Sequence, residues 1–307
     1  MPLLEKLELG PYLHFPKLQH INFPSLKYIA TPYPIVGDPC DIFESSPALE
    51  ELCISFMDDN MMLPYMQLID LPRLVSLVSR VPRLGLMQLR RCALTRVLDI
   101  FAQPAVRELH VHCMEIDVTL VPLAVRILAD VSAKGSTNLA LSKSGDSLVL
   151  RAGNSARLGR ILTLPCDAAD AALAAVWRVI PPQSLSNLYT SWELWVCVFC
   201  DIARGSHVQE IELVLPEAGA PLAEPPDMPD VHFPRLSGLV LRAPAHSTRI
   251  AHVPWLWMRS LIRSLHLGRP LKELTLVNIE ISDAEYPSPE LSPDTHIQHV
   301  WELSLMH

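Results

Sequence analysis

A short apolar pattern that repeats along the chain constrains the fold more than any other feature of this sequence. The pattern reads apolar-x-x-apolar-x-apolar. Its last two apolar residues are two positions apart, so on a β-strand they face one side of the sheet while their neighbours face the other. Each copy therefore predicts a short strand that is buried on one face only. Eleven copies occur, of which the second and fourth are weaker: Leu4/Leu7/Leu9, Leu26/Ile29, Leu49/Leu52/Ile54, Leu74/Leu77, Leu84/Met87/Leu89, Val106/Leu109/Val111, Val208/Ile211/Leu213, Leu236/Leu239/Leu241, Ile262/Leu265/Leu267, Leu271/Leu274/Leu276 and Val300/Leu303/Leu305.

The spacing of these copies is typical of a leucine-rich repeat, which is about 20 to 29 residues long. From Leu7 to Leu77 the central residues are 22, 23 and 25 positions apart, and from Ile211 to Leu303 they are 28, 35 and 29 apart. The run 84–94 matches the full leucine-rich consensus, including a cysteine where the chain turns after the strand. The sequence therefore predicts an α/β fold, an irregular leucine-rich-repeat solenoid with a curved parallel sheet and outer helices and loops.

In two pairs of copies, the members are too close in sequence for each to form a strand followed by a return segment. The copies that begin at Leu74 and Leu84 form one pair, and those that begin at Ile262 and Leu271 form the other. We expect one member of each pair to be false.

Proline marks the start of most copies. The chain holds 28 prolines and only 11 glycines. Proline ends a preceding helix and favours extended backbone before it, and ahead of a strand it removes no ladder hydrogen bond. We therefore interpret these prolines as boundaries between successive repeats. Seven of the eleven copies carry one two residues before their first apolar position: Pro2, Pro24, Pro47, Pro72, Pro82, Pro104 and Pro234.

The period fails in the middle of the chain, between about residues 131 and 205. Alternating segments at 138–141 and 147–150 predict an inserted hairpin, and 160–164 predicts a third strand. Two helices are expected next, over 167–179 and over 191–204. The predicted organisation is a single leucine-rich-repeat-like domain, 1–307, with N-terminal repeats in 1–130, an irregular β-hairpin and helical insertion in 131–205, and C-terminal repeats in 206–307.

Glutamate recurs beside the central apolar residue of the repeats. If the strands stack in register about 4.8 Å apart, these side chains form columns on the inner, concave face. Two interpretations stay open with equal weight: the acidic face binds a basic partner, or the glutamates keep an exposed sheet soluble and pair with neighbours such as Lys272 and Arg107. The glutamates before the central residue, together with one at the next outward position, are Glu51, Glu108, Glu210, Glu273, Glu302 and Glu212.

Histidine and cysteine pairs are the other candidate sites. His110 and His112 lie two apart on one predicted strand and face outward, which makes them candidates for partner contact; a metal would need a third ligand. Cys197 and Cys200 fall inside an apolar helix, without a second ligand pair, and are interpreted as buried small side chains. Nothing matches a phosphate loop, a nucleophile elbow or a zinc-protease motif. The sequence predicts no enzyme, no cofactor and no metal.

Charge and cysteine content predict the compartment and the class of partner. The formal net charge is −8, with 33 acidic against 25 basic residues and no basic cluster, which disfavours nucleic acid and anionic membranes. A protein partner, of basic character, is favoured. Seven cysteines, with no apolar leader ahead of them, indicate reduced thiols. We expect a cytoplasmic or nuclear protein.

The proline-led strands resemble the repeat region of fungal F-box/leucine-rich-repeat proteins over about 1–130 and 206–307. The segments that carry the likeness are Pro47-Ala-Leu-Glu-Glu-Leu-Cys-Ile, Pro104-Ala-Val-Arg-Glu-Leu-His-Val, Phe233-Pro-Arg-Leu-Ser-Gly-Leu-Val-Leu, and a tryptophan-bearing helix before His207-Val-Gln-Glu-Ile-Glu-Leu.

The resemblance implies that the repeats recruit a protein for ubiquitination, while an N-terminal F-box docks on the adaptor of a cullin ligase. Met1 opens directly into a repeat, so adaptor docking is expected only if an F-box precedes this chain. The alternatives are a stand-alone repeat scaffold, a truncated fragment without a ligase link and, ranked last, an enzyme with scattered catalytic groups.

Overall fold

The chain folds into a mixed α/β structure with a large, mostly parallel sheet of 13 strands. The computed structural model describes residues 4–9, 22–32, 44–55, 82–89, 106–114, 116–132, 135–154, 158–203, 207–217, 222–225, 232–244, 250–282, 291 and 294–302. Two compact units divide the chain: unit 1 comprises 1–134 and 144–179, and unit 2 comprises 135–143 and 180–307. The parallel sheet confirms the predicted fold class at this level, and the leucine-rich-repeat solenoid stays a prediction.

The regular elements of the described residues are short. The strands are β1 Lys6–Glu8, β2 Tyr28–Pro32, β3 Glu51–Ser55, β4 Arg83–Leu89, β5 Glu108–Cys113, β6 Thr137–Ser144, β7 Ser147–Asn154, β8 Gly159–Pro165, β9 Leu185–Ser191, β10 Glu210–Val214, β11 Gly238–Arg242, β12 Ala251–Pro254, β13 Glu273–Val277, β14 Ile279–Ser282 and β15 His296–Val300. The helices are α1 Val121–Val125, α2 Ala129–Ser132, α3 Ala169–Val179, α4 Trp192–Ala203 and α5 Trp255–Ser264. Within the described residues, no helix is both long and apolar enough to cross a membrane.

Unit 1 orders its strands β1-β2-β3-β4-β5-β8-β7. All neighbours are parallel except β7, which runs antiparallel to β8. Unit 2 orders its strands β6-β9-β10-β11-β13-β15, all parallel, and adds a separate parallel pair, β12 and β14. A right-handed crossover between parallel strands needs a return segment, which is why the chain spends most of its length between short strands.

The apolar pattern sets which face of each sheet is buried. Leu52 and Ile54 of β3, and Leu239 and Leu241 of β11, are fully buried, while the residues between them are half-buried. Each strand thus presents alternate residues to the core, as the period of two requires. The predicted half-buried strands are confirmed for β2, β3, β5, β10, β11 and β13.

Proline has a more specific role than helix termination. Pro24, Pro47 and Pro234 each occupy the second position of a turn whose fourth residue is the first apolar residue of the next repeat. The closing bonds run from the amide N of Leu26, Leu49 and Leu236 to the carbonyl three residues earlier, at 3.1, 3.1 and 3.3 Å. Proline suits this position because its fixed φ matches the turn. Pro2, Pro72 and Pro104 lie outside the described residues.

A doubled hydrogen bond follows each turn and fixes the register of the next strand. The carbonyl O of Lys27 accepts from Glu50 N and Glu51 N, both at 2.9 Å. In unit 2, Gln209 O accepts from Ser237 N and Gly238 N, at 2.8 and 3.0 Å. One carbonyl with two lone pairs thus satisfies two amides as the chain enters the sheet.

The predicted insertion is part of the sheets. The hairpin, the third strand and both helices are confirmed as β6, β7, β8, α3 and α4. However, β8 pairs in parallel with β5, and β6 pairs in parallel with β9, so the strands of 131–205 continue the ladder where an inserted patch was expected. Only β7 reverses direction.

Three copies of the pattern do not coincide with a strand of the described residues. Ile262 and Leu265 belong to the end of α5, so the copy at Leu271, in β13, is the true one of that pair. The last strand is His296–Val300, which ends where the predicted copy begins; Leu303 and Leu305 lie outside the described residues. The strand predicted around Leu303 and Leu305 therefore stays a prediction. The copy at Leu74/Leu77 and the consensus cysteine, Cys92, also lie outside the described residues.

Candidate functional site

An open groove lies on the face of the unit 1 sheet that carries Glu51 and Glu108. The sequence predicts this face to be concave, and we call it the outer face because it lies opposite the core. The groove has a volume of about 640 Å³, and it crosses strands β2, β3, β4, β5 and β8. Cross-strand register explains why these residues meet, since paired residues on neighbouring parallel strands share a face. The lining residues are Tyr28, Glu51, Cys53, Arg83, Leu84, Gly85, Glu108, Leu109, His110, Leu158, Gly159 and Ile161.

Two rows of residues run across the strands in register. The first row consists of Lys6, Tyr28, Glu51, Arg83, Glu108 and Gly159. The second row consists of Glu8, Ala30, Cys53, Gly85, His110 and Ile161. Neighbours within a row are about 4.8 Å apart, so side chains next to each other in the same row interact directly.

Charges alternate along the first row. The Arg83 guanidinium contacts the carboxylates of Glu50 at 2.9 Å and Glu51 at 3.5 Å. The Lys6 ammonium contacts Glu8 at 2.7 Å and lies 4.9 Å from the centre of the Tyr28 ring. The predicted acidic column is therefore interrupted by basic residues in this unit. Both contacts are exposed and contribute little to stability.

Glu108 differs from the other acids of the row. Its carboxylate is exposed, and it makes no ion pair among the residues that the structure describes. On its far side the row continues with Gly159, so no side chain covers it there. Glu108 thus presents a free negative charge beside an open stretch of strand.

Two glycines line the groove, and they differ in how much space they leave. Gly85 is buried between Cys53 and His110, and a Cβ there would lie only 3.2 Å from Cys53 Sγ. Gly159 is half-buried beside Glu108, and a Cβ there would lie 3.5 Å from Glu108 Cγ, so this glycine forms a notch. Glycine inside a strand weakens it, and one common reason for its presence is close approach of a ligand or another chain.

The second row holds uncharged polar groups. Burial raises the pKa of the Cys53 thiol, and the neighbouring Tyr28 side chain opposes part of this rise. Burial likewise raises the pKa of Tyr28 to about 12. His110 Nε2 lies 3.3 Å from Thr163 Oγ1, and burial, then the nearby His112 and Arg151, lowers the pKa of this imidazole. All three groups are neutral near pH 7.

This chemistry suits non-covalent binding. A protonated thiol is a weak nucleophile, and Cys53 and His110 are separated by the strand that carries Gly85, so neither activates the other. Among the described residues, no cluster of three or more His, Cys, Asp or Glu side chains could hold a metal ion. The groove offers a shallow, mixed surface with one unpaired carboxylate.

Unit 2 carries the other predicted glutamates. Glu210 and Glu273 are exposed and flank Gly238 in register. Glu212 is bound by Arg242 at 2.5 Å, and the same guanidinium contacts Glu302 at 2.6 Å. Glu302 lies two residues after β15, and the residues that follow it are outside the described part of the chain.

The structure brings together three of the predicted site residues in the groove: Glu51, Glu108 and His110. His112 is half-buried on the same face of β5, in register with Thr163. Sequence reasoning missed Gly85, Gly159, Cys53 and Tyr28 as lining residues. A glycine at an outward strand position was the available signal, because this chain has few glycines.

The cysteine pair is partly different from expectation. Cys197 lies in α4 as predicted, but it is exposed, and its sulfur lies 3.6 Å from the carbonyl O of Glu193. The interpretation of Cys197 as a buried side chain was wrong. The side chain of Cys200 lies outside what the structure describes.

No protein-family model matches this chain. No curated protein matches it either.

Proposed function

We propose that this chain is a protein-binding module that recruits a basic partner on the outer faces of its sheets, as the substrate-recruiting part of an F-box-type ubiquitin ligase. The observation that carries the proposal is the open groove of unit 1, with the unpaired Glu108 carboxylate beside the notch at Gly159. A net charge of −8 favours encounter with a basic partner over an acidic one.

A non-catalytic role is part of the proposal. It is supported by the protonated state of Cys53 and by the separation of Cys53 from His110. The ligase role rests on the resemblance of the proline-led strands alone. A cytoplasmic or nuclear location is supported by the free thiols of Cys53, Cys113, Cys166 and Cys197, which suit a reducing compartment.

Affinity purification of the full chain from its own cells, with quantitative mass spectrometry at two salt concentrations, tests this proposal. Enrichment of a cullin and its adaptor together with basic proteins supports it, and these basic proteins are expected to decline at high salt. Recovery of other partners without ligase components indicates a stand-alone scaffold. Recovery of no specific partner contradicts the binding role.

Two matched variants locate the binding face. Glu51→Lys with Glu108→Lys reverses charge in the groove of unit 1, and Glu210→Lys with Glu273→Lys does so in unit 2. Because Glu108, Glu210 and Glu273 are exposed and the Glu51 side chain is 36% exposed, the fold is expected to persist in both. Loss of basic partners only with the first variant supports the groove, and equal recovery with both variants argues against the acidic faces.

A further inference from the structure

The groove contains one position that fits a single long cationic side chain. The first row runs from Glu51 through Arg83 to Glu108 and ends at Gly159 on β8. Arg83 already lies against Glu50 and Glu51, at 2.9 and 3.5 Å. Of the lining carboxylates, Glu108 is thus the one that makes no ion pair among the described residues.

Among the described residues, nothing fills the space beside Glu108 that a side chain at Gly159 would take. A Cβ at Gly159 would stand in ordinary contact with Glu108 Cγ, 3.5 Å away, and no other described residue beyond its chain neighbours comes within 4 Å of it. Leu158 and Ile161 border the same end of the groove. An aliphatic stem lying across Gly159 would therefore contact apolar atoms, while its charged end remains at the carboxylate, as lysine and arginine stems do on protein surfaces.

The second row restricts where that charge can go. His110 is held by Thr163 and is neutral, and Arg151 on β7 is in register with Ile161. The positive charge of Arg151 opposes a second cation in this row. A cationic side chain is therefore directed along the first row.

We propose that the groove is a subsite for one arginine or lysine side chain, whose stem lies across Gly159 and whose charge meets Glu108. This inference rests on the proposed function and specifies the chemistry of the partner segment. The occupant is a basic segment of another protein, recognised through one cation.

Glycine amides report directly on this subsite. The full chain, labelled with ¹⁵N at its 11 glycines, is titrated with N-acetylarginine methylamide. The uncharged citrulline analogue, which has nearly the same shape, is the matched probe. We expect a saturable shift of the Gly159 and Gly85 signals with arginine, a much smaller one with citrulline, and none at Gly145 in the β6–β7 turn.

Two variants separate charge from shape. Glu108→Gln is expected to weaken binding of the arginine probe about threefold, which corresponds to the loss of one exposed ion pair. Glu224→Gln, at an exposed position in unit 2, is the control and should leave this affinity unchanged. Gly159→Val suits a strand but fills the notch, and it should abolish the shift at Gly85. Preserved positions of the other glycine signals confirm that both variants fold.

Equal shifts with citrulline, or an unchanged affinity in Glu108→Gln, overturn the subsite. Failure of the subsite can be distinguished from failure of the proposed function. If arginine binds at Gly159 but purification yields no partner, the subsite stands without the recruiting role. If partners are recovered and the glycine signals do not respond to arginine, the partner binds elsewhere.

Discussion

Arg160 extends from β8 into the interior of unit 1 and contacts the carboxylate of Asp130 on α2, with Nη2 2.5 Å from Oδ2. It stands in register with Leu109, where the other strands carry their central apolar residue, and only 1% of its side chain is exposed. Its Nη1 donates to the carbonyls of Arg107 and Gly159 at 3.1 and 2.9 Å. The guanidinium is thus satisfied by three acceptors in the core.

Removal of one member of this pair should destabilise the protein strongly. Asp130→Ala leaves a buried guanidinium without its counter-charge, and we expect a loss of about 3 kcal/mol in the free energy of unfolding. Arg160→Leu in the Asp130→Ala background restores an apolar core position and should recover most of that loss. Urea unfolding of the four proteins of the double-mutant cycle measures the coupling. Additive effects of the two substitutions would contradict the assigned contact.

The prolines of these turns should stabilise the protein by restricting the conformations of the unfolded chain. Pro47 fixes φ at the second position of the turn before β3, so Pro47→Ala gives the unfolded state more freedom without removing a hydrogen bond of the fold. We expect a loss of about 0.4 to 1 kcal/mol, and a larger one for Pro47→Gly, because glycine is freer still. Thermal unfolding of the three proteins is the measurement. A stability order other than proline, alanine, glycine would exclude this explanation.

Gly268 should not tolerate a side chain. A Cβ there would lie 2.9 Å from Pro234 Cα and 3.1 Å from its carbonyl O, and both atoms belong to the backbone of the turn before β11. We expect Gly268→Ala to cost about 1 to 3 kcal/mol through overpacking. Gly238→Ala in the same unit is the control, because its nearest atom is the flexible Glu210 Cγ at 3.4 Å. Similar unfolding midpoints for both variants would refute the steric argument.

Alkaline pH should weaken unit 1 through Cys113. Burial raises the pKa of this thiol from 9.0 to about 12. Above pH 9 the unfolded chain loses this proton while the folded chain keeps it, so stability present below pH 9 falls as the pH rises towards 12, by at most about 1.4 kcal/mol per pH unit. Cys113→Ala should make the decline between pH 9 and 11 shallower, as measured by urea unfolding. An unchanged pH profile would show that Cys113 ionises equally in both states.

The core-facing positions of the strands were predictable, because burial of one face of a strand makes every second residue apolar. Leu52/Ile54, Leu109/Val111 and Leu274/Leu276 follow it and are buried. In β8 an arginine, Arg160, takes the central apolar position, and in β9 the buried Thr190 takes the last one. These two strands therefore looked like a break in the repeat, although they continue the sheet.

The outward half was less predictable, because no single period governs exposed positions. The glutamates were found as a column, but Arg83 and Arg242, which neutralise Glu51, Glu212 and Glu302, occupy positions set by cross-strand register. The groove depends on Gly85 and Gly159, which are 74 residues apart in sequence and become informative only when β4, β5 and β8 are aligned. Tertiary pairing thus creates the site.

The doubled hydrogen bonds after the turns bear on how strands find their alignment. A parallel strand that slips by two residues still places its leucines inward, so burial alone does not distinguish the native pairing from this error. The carbonyl of Lys27, which accepts from Glu50 N and Glu51 N, loses both partners in the slipped arrangement. At β3 and at β11, one backbone oxygen at the entrance to the strand therefore favours the native register over the slipped one.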